Sequence, residues 1–211
     1  MDTDGKVRRS DQTPGFGKNI TPEALNELPL GAYDGEVVVI SDPKKVHHAI
    51  QDINRHARLG FDTETKPVFV RGRTNKVAIL QLATPERVYL FRLTDTGLTP
   101  EMKHLFENPR ILKIGVAIRD DIKALQSLVK FNPQGFVELT TLTRAAGFEV
   151  EGVKKLTALI LGFRISKSAQ TSNWEAPKLD EKQITYAATD AWVCLRMYDA
   201  LKVPLMWDET P

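Results

Sequence analysis

Five polar side chains in three separate segments have the types needed to hold a pair of metal ions. They are Asp62 and Glu64, then Asp121, then Tyr186 and Asp190. Carboxylates that converge in a fold repel one another and need a counter-charge, which divalent metal usually supplies. Four carboxylates and two such ions are neutral together, and hard oxygen donors favour Mg²⁺ or Mn²⁺ over zinc. Two-metal carboxylate sites are typical of phosphodiester cleavage.

Each pair taken alone has an ordinary structural explanation. Asp62 and Glu64 are two residues apart in a predicted strand, so both side chains leave one face, as at any solvated strand end. Tyr186 and Asp190 are four residues apart on a predicted helix, a spacing that is common by chance. A tyrosine hydroxyl has a pKa near 10, so Tyr186 is better suited to orienting a water molecule than to deprotonating it.

The central acid is ambiguous from its spacing. A predicted strand that ends near Val116 enters a turn, and a helix begins at about Arg119. An acid at this point caps the helix N-terminus, and Asp120 fits that role as well as Asp121 does. The spacing therefore leaves both residues open.

The bulk composition indicates one soluble domain. With 211 residues, the chain is expected to form a single domain over residues 21–211, preceded by a flexible polar tail over residues 1–20. The net charge of +2 is small, so any positively charged surface that binds nucleic acid must be local.

The single cysteine, Cys194, excludes an intramolecular disulfide and is expected to be a buried small apolar residue. Because no apolar run approaches about 20 residues and no secretory signal is present, we expect an intracellular protein, cytoplasmic in a bacterial host.

Hydrophobic periodicity predicts a mixed sheet with helices on its faces. The predicted strands are residues 36–40, 59–64, 77–82, 87–93, 111–116 and 136–139. The predicted helices are residues 21–28, a segment after Pro43 that carries Val46, Ile50 and Ile53, residues 99–106, a segment from Arg119 to Val129, and residues 140–146, 153–161 and 180–201. The strands at 77–82 and 87–93 are separated by a short turn, which indicates a hairpin. The segment Arg164–Lys178 shows no clear period.

Three ordered motifs and two flanking segments carry a family resemblance. The motifs are Phe61-Asp62-Thr63-Glu64-Thr65, the run from Lys113 to Asp121, and Tyr186-Ala187-Ala188-Thr189-Asp190-Ala191, and the flanking segments are Gly72–Leu82 and Ser172-Asn173-Trp174. Over about residues 35–202 the chain resembles the 3′–5′ exonucleases of the DEDD type, in the tyrosine-bearing branch that includes ribonuclease D and the Werner-syndrome exonuclease domain. The resemblance implies an α/β, ribonuclease-H-like fold, with a mixed five-stranded sheet flanked by helices. Its register assigns the central acid to Asp121.

The resemblance also implies a role for each site residue. Asp62, Glu64 and Asp190 would hold the metal ion that activates water, with Asp62 also contacting a second ion. Asp121 would act largely through water, and Tyr186 would position the attacking water. The second ion would stabilise the leaving 3′ oxygen, and the product would be a 5′-mononucleotide. Thr63 would lie near the terminal sugar.

Several further residues are predicted to contact substrate. They are the basic cluster Lys66, Arg71, Arg73 and Lys76 after the first motif, and Lys154 with Lys155 at the start of a helix. A solvated basic loop explains the cluster about equally well. Trp174 is expected either to stack on a base or to fill the edge of the sheet, and packing is slightly favoured.

The expected partner is nucleic acid, through single-stranded 3′ ends, with no membrane involved. DNA and RNA both remain open, because no residue can be assigned to the 2′-OH. Ribonuclease D and the Werner protein have further domains, including a helical nucleic-acid-binding module that we do not expect within these 211 residues, so their substrate choice and processivity are not carried over. A non-catalytic binding module on the same fold is the main alternative function, and a metal-dependent phosphatase or nucleotidase is a third.

Overall fold

A computed structural model describes residues 18–68 and 75–201 as alternating strands and helices. The strands are β1 (Glu36–Ile40), β2 (Arg58–Thr65), β3 (Val77–Ala83), β4 (Arg87–Arg92), β5 (Leu112–Gly115) and β6 (Phe136–Glu138). The helices are α1 (Pro22–Glu27), α2 (Pro43–Ile53), α3 (Leu93–Thr96), α4 (Pro100–Glu107), α5 (Arg119–Leu128), α6 (Leu139–Ala145), α7 (Val153–Leu161) and α8 (Glu181–Ala200). The short helix α3 is the one element in this part of the chain that the sequence did not predict.

The strands form one mixed sheet in the order β1-β4-β3-β2-β5-β6. β3 is antiparallel to β2 and β4, whereas the β1–β4, β2–β5 and β5–β6 pairs are parallel. The predicted hairpin of β3 and β4 is confirmed. The five-stranded sheet that the resemblance implied is corrected to six strands, because the short strand β6 pairs with β5 at the edge of the sheet.

Local capping explains where several helices begin. The side chains of Thr21 and Thr99 accept a hydrogen bond from a backbone N–H in the first turns of α1 and α4, and proline follows each as the first helical residue. Asp180 and Gln183 form a reciprocal capping box at the start of α8. The capping box fixes the residue at which α8 begins.

The two faces of the sheet are covered by different helices. Phe61, Leu80 and Phe91 point to the face covered by α2, α4 and α5, where they form one apolar core. The opposite face packs against α8 through small residues, including Ala187 and Ala191. A side chain on β2 therefore faces either α5 or α8, depending on whether its number is odd or even.

Helix α8 lies directly on the backbone of β2. A Cβ placed on Gly60 would lie 1.9 Å from the carbonyl oxygen of Ala191. No side chain fits between the strand and the helix here, so glycine at position 60 permits the contact. This close packing fixes α8 relative to the end of β2.

The folded part extends below residue 21. Ile20 is buried, and the N–H of Glu149 donates a hydrogen bond to the carbonyl of Lys18. Residues 1–17 of the predicted tail lie outside the described residues. Within the described part of the chain, no helix combines the length and the apolar character needed to cross a bilayer.

Candidate active site

The first motif forms the last five residues of β2. Asp62 and Glu64 point to the α8 face, while Thr63 between them points to the α5 face, as the strand period predicts. Across the antiparallel pair, Asp62 is opposite Gln81 and Glu64 is opposite Ile79. The ladder register shifts immediately after Glu64, so the strand bends away beyond the two acids.

Helix α8 supplies the third carboxylate and the tyrosine. Carboxylate oxygens of Asp62, Glu64 and Asp190 lie within 4.8 Å of one another. Asp190 is buried, and within the described part of the chain its Oδ1 has no hydrogen-bond partner. Tyr186, one helical turn earlier, lines the same cavity of about 440 Å³. The structure thus brings together side chains that are more than 120 residues apart in sequence.

The structure distinguishes Asp120 from Asp121. Asp120 is 89% exposed and forms a surface ion pair with Lys123 at 3.1 Å. Asp121 is partly buried and accepts a hydrogen bond from the hydroxyl of Thr63. Asp121 is outside the three-carboxylate cluster but contacts the strand that carries two of its members. Asp121 is thus the one of the two acids that contacts β2, and its role in the site stays a prediction.

Glu138 holds the turn that leads into α5 and Asp121. Its two carboxylate oxygens accept hydrogen bonds from the backbone N–H groups of Ala117, at 3.0 Å, and Ile118, at 2.9 Å. Ala117 has φ +60°, in the left-handed region that disfavours a residue with a Cβ. Glu138 also caps α6 by accepting a hydrogen bond from the N–H of Thr140. These contacts offset the strain in the turn and lower the pKa of Glu138, although burial alone would raise it.

We expect Glu138→Ala to destabilise the protein by about 1–3 kcal/mol, because it removes a helix cap and two acceptors of backbone N–H groups. Urea denaturation measures the change. Glu151→Ala is the control, since Glu151 forms only an exposed ion pair with Arg144, and such pairs contribute about 0–1 kcal/mol. Equal losses in both variants would show that Glu138 has no special role in the turn.

Burial raises the pKa of every carboxyl in the cluster, and repulsion from neighbouring acids adds to this for Asp62 and Glu64. Burial, followed by the negative charges of Asp190 and Asp121, raises the pKa of Glu64 to about 9. The same causes raise the pKa of Asp62 well above its ordinary value. Burial raises the pKa of Asp190 to about 7, against the opposing effects of the Tyr186 hydroxyl and the charge of Lys167.

Tyr186 keeps its proton in this environment. Burial, together with the charges of Asp190 and Glu64, raises the pKa of Tyr186 above its ordinary value. Its ring packs against the indole of Trp174, with centroids 6.0 Å apart. Trp174 is fully buried, so of its two expected roles the structure favours packing and leaves no exposed face for a base.

The residues fit a divalent cation. All three clustered side chains offer carboxylate oxygen, the donor that Mg²⁺ and Mn²⁺ prefer. The buried Oδ1 of Asp190 lacks a hydrogen-bond donor among the described residues, and the raised pKa values show that the cluster is short of positive charge. A bound cation would remedy both conditions.

The cluster predicts how the stability of metal-free protein depends on pH. The folded-state pKa values of Asp190, about 7, and Glu64, about 9, exceed the ordinary carboxyl value, so between about pH 4 and 9 the folded state binds more protons than the unfolded state. These groups stabilise the fold at low pH, and their contribution is lost as the pH rises. We therefore expect the melting temperature in chelator to fall over this interval, and less steeply in Glu64→Gln.

Adding Mn²⁺ at pH 8 should recover the lost stability in the wild type, because the cation neutralises the ionised cluster. Thermal denaturation with and without metal measures this recovery. Asp120→Asn is the control, since its exposed carboxylate should leave the pH slope unchanged. A Glu64→Gln slope equal to that of the wild type would contradict the assignment.

The predicted substrate residues separate into two groups. Lys154 and Lys155 line the acidic cavity, as does Thr63. Lys66 is instead paired with Glu175 at 3.1 Å, and Lys76 lines a different cavity with the same glutamate. Arg71 and Arg73 lie outside the described residues.

The sequence did not indicate several residues of the acidic cavity, including two polar ones from the aperiodic segment. Lys167 and Gln170 line it, and the positive charge of Lys167 lowers the pKa of Asp190. Both lie in Arg164–Lys178, where no periodicity or motif marked them. A basic residue between two predicted helices was the only available signal, and many surface lysines share it. Cys194 also lines the cavity and is buried and free, as expected.

Solved structures with the same architecture define the class. Escherichia coli ribonuclease D superposes with a TM-score of 0.72 at 21% identity, over 81% of this chain and 45% of that one. Trypanosoma brucei ribonuclease D, in a complex with RNA U12, superposes with a TM-score of 0.71 at 18% identity, over 80% of this chain and 63% of that one. The fold and the acidic cluster thus define an α/β domain of the ribonuclease-H-like class.

The sequence identifies the family to which the chain belongs. A family model described as 3′–5′ exonuclease matches residues 37–205, and the chain belongs to this family. The Aedes aegypti Nibbler EXO domain superposes with a TM-score of 0.71 at 28% identity, over 82% of this chain and 91% of that one. The mouse bifunctional 3′–5′ exonuclease/ATP-dependent helicase WRN is 31% identical over 186 residues, which are 83% of this chain and 13% of the relative. The Aedes aegypti exonuclease mut-7 homolog is 30% identical, over 82% of this chain and 27% of the relative. The chain therefore spans a minor part of these two relatives.

Proposed function

We propose that this domain is a two-metal 3′–5′ exonuclease that acts on single-stranded 3′ ends. It hydrolyses the terminal phosphodiester bond and releases a nucleoside 5′-monophosphate. The observation that carries the proposal is the convergence of Asp62, Glu64 and Asp190 within 4.8 Å at a cavity that Tyr186 also lines. Membership of the exonuclease family supports the same reaction.

The chain's own residues divide the work in this proposal. Asp62, Glu64 and Asp190 hold Mg²⁺ or Mn²⁺, and Asp121, fixed by Thr63, contributes from α5. When bound, the two cations supply the charge that activates the attacking water and stabilises the leaving 3′ oxygen.

Tyr186 orients the attacking water. Since its pKa is raised, the hydroxyl stays protonated and donates a hydrogen bond instead of removing a proton. The acidic cavity has no histidine in its lining within the described residues, so no imidazole is placed there as a general base.

Basic residues on the cavity wall hold the strand in this proposal. Lys154, Lys155 and Lys167 share the cavity with the three acids, which places positive charge beside the position of a scissile phosphate. Lys66 and Lys76 contribute further along the nucleic-acid backbone, together with Arg71 and Arg73, which follow Lys66 in the sequence. The complex of Trypanosoma brucei ribonuclease D with RNA supports nucleic acid as the substrate class.

A product ladder tests polarity, metal dependence and sugar preference together. DNA and RNA single strands labelled at either end are incubated with Mg²⁺ or Mn²⁺. We expect 5′-labelled strands to shorten in single-nucleotide steps, 3′-labelled strands to release labelled mononucleotide first, and chelator to stop both. A free nucleotide with a 5′-phosphate is the control for a nucleotidase, and it should stay intact.

Two outcomes would overturn the proposal. Shortening from the 5′ end would reverse the polarity. Strand binding without cleavage, in protein that binds Mn²⁺, would identify a non-catalytic module on the same fold.

A further inference from the structure

The carboxamide of Gln81 is a buried polar group without a partner. Gln81 lies in the middle of β3 and is fully buried. Among the residues that the structure describes, neither its Oε1 nor its Nε2 forms a hydrogen bond. Burying an amide without hydrogen bonds is destabilising, and most buried polar groups in proteins are satisfied by protein or by ordered water.

The strand register places Gln81 beside a proposed metal ligand. In the β2–β3 pair Gln81 is directly opposite Asp62, and in the β3–β4 pair it is opposite Leu90. Directly opposite residues of an antiparallel pair point to the same face, with Cβ atoms about 4.5–5.5 Å apart. The carboxamide and the Asp62 carboxylate therefore lie next to each other on the α8 face.

A second buried polar atom without a hydrogen-bond partner among the described residues lies between the sheet and α8. Asp190 Oδ1 is buried under α8 and also lacks a partner among the described residues. Its carboxylate lies within 4.8 Å of that of Asp62. An ionised carboxylate only accepts hydrogen bonds, whereas a carboxamide both donates and accepts. The polar groups in this layer are thus chemically complementary.

A single water molecule has the hydrogen-bonding capacity to join the Gln81 Nε2 amide to both carboxylates. Polar groups that are too far apart for direct contact are commonly bridged by water, and a buried water needs two to four polar partners. Such a water would accept a hydrogen bond from Gln81 Nε2 and donate one to each of the Asp62 and Asp190 carboxylates. Groups that orient metal ligands in this way commonly change metal affinity 10–100-fold when they are removed.

We propose that Gln81 is a positioning residue for Asp62 and Asp190, and that it orients both carboxylates through one shared buried water. The proposal rests on the proposed function for the identity of the cations. The competing explanation is that Gln81 fills space in the core as an apolar residue would. The two explanations differ in what they predict for metal binding.

Gln81→Leu removes the donor and the acceptors at similar volume. If Gln81 is a positioning residue, we expect Mn²⁺ binding, measured by calorimetry, to weaken 10–100-fold, while the melting temperature of the metal-free protein stays equal or rises. The kcat for mononucleotide release should fall while the KM for a single strand is unchanged. Gln81→Met, which follows the shape of glutamine more closely, provides a second variant if Gln81→Leu folds poorly.

Ile79→Leu is the matched control, because Ile79 is buried in the same strand and lies opposite Glu64. It should keep the wild-type affinity for Mn²⁺. Unchanged affinity in both Gln81 variants, or an equal loss in Ile79→Leu, overturns the role of Gln81. Absence of Mn²⁺ binding in the wild-type protein overturns the proposed metal site as well, so the two failures are distinguishable.

Discussion

Asparagine in place of Asp190 is expected to lower the rate of mononucleotide release by about a thousandfold or more. The side chain is one of three clustered carboxylates, and losing a metal ligand removes several kcal/mol of transition-state stabilisation, at about 1.4 kcal/mol for each tenfold in rate. In chelator at pH 8 the same variant should melt at a higher temperature than the wild type. The pKa of Asp190 is raised to about 7, so asparagine removes a charge that the fold disfavours.

Single-turnover assays and thermal denaturation measure these two opposite effects in one protein preparation. Asp120→Asn is the control, because this neighbouring acid is 89% exposed and should leave both quantities unchanged. Activity that survives in purified Asp190→Asn would contradict the site, and lost activity with a lowered melting temperature would indicate simple misfolding.

Alanine in place of Gly60 is expected to reduce both stability and activity. Its Cβ would lie 1.9 Å from the carbonyl oxygen of Ala191, which belongs to backbone and cannot rotate away. Overpacking of this kind costs about 1–3 kcal/mol or more, which lowers the melting temperature of a chain of this size by about 2–4 °C per kcal/mol. Since α8 must move away from β2, Asp190 separates from Asp62 and Glu64.

Mn²⁺ binding distinguishes this displacement from a general loss of stability. Gly60→Ala should bind Mn²⁺ more weakly even at temperatures where it is fully folded. The control is Gly97→Ala, which carries the strain of φ +64° but meets no atom within 4 Å. Wild-type metal affinity in Gly60→Ala would show that the helix tolerates the extra methyl group.

Much of the fold could be predicted because its signals are local. Threonine and proline mark the start of α1 and α4, and the β-branched run at 36–40 marks β1. The strand period also placed Asp62 and Glu64 on one face, opposite Thr63. The resemblance implied five strands, whereas the sheet has six, because the three-residue strand β6 pairs with β5 at its edge.

The rest depends on contacts that local patterns do not contain. The sequence pattern around Asp120 and Asp121 could not distinguish them, because what separates them is a hydrogen bond from Thr63 on a distant strand to Asp121. Lys167 lies in an aperiodic segment, and its position beside Asp190 follows from how that segment packs. The position of Gln81 beside Asp62 follows from the register of β2 against β3, two strands that are separated by 11 residues in sequence.

The order of elements along the chain also bears on synthesis. Asp62 and Glu64 lie in the second strand, whereas Asp190 lies in the eighth helix, which packs onto that strand. A nascent chain on the ribosome therefore carries two of the three clustered carboxylates for more than 120 residues before the third emerges. The three acids can therefore come together only after α8 has been synthesised and has packed against β2.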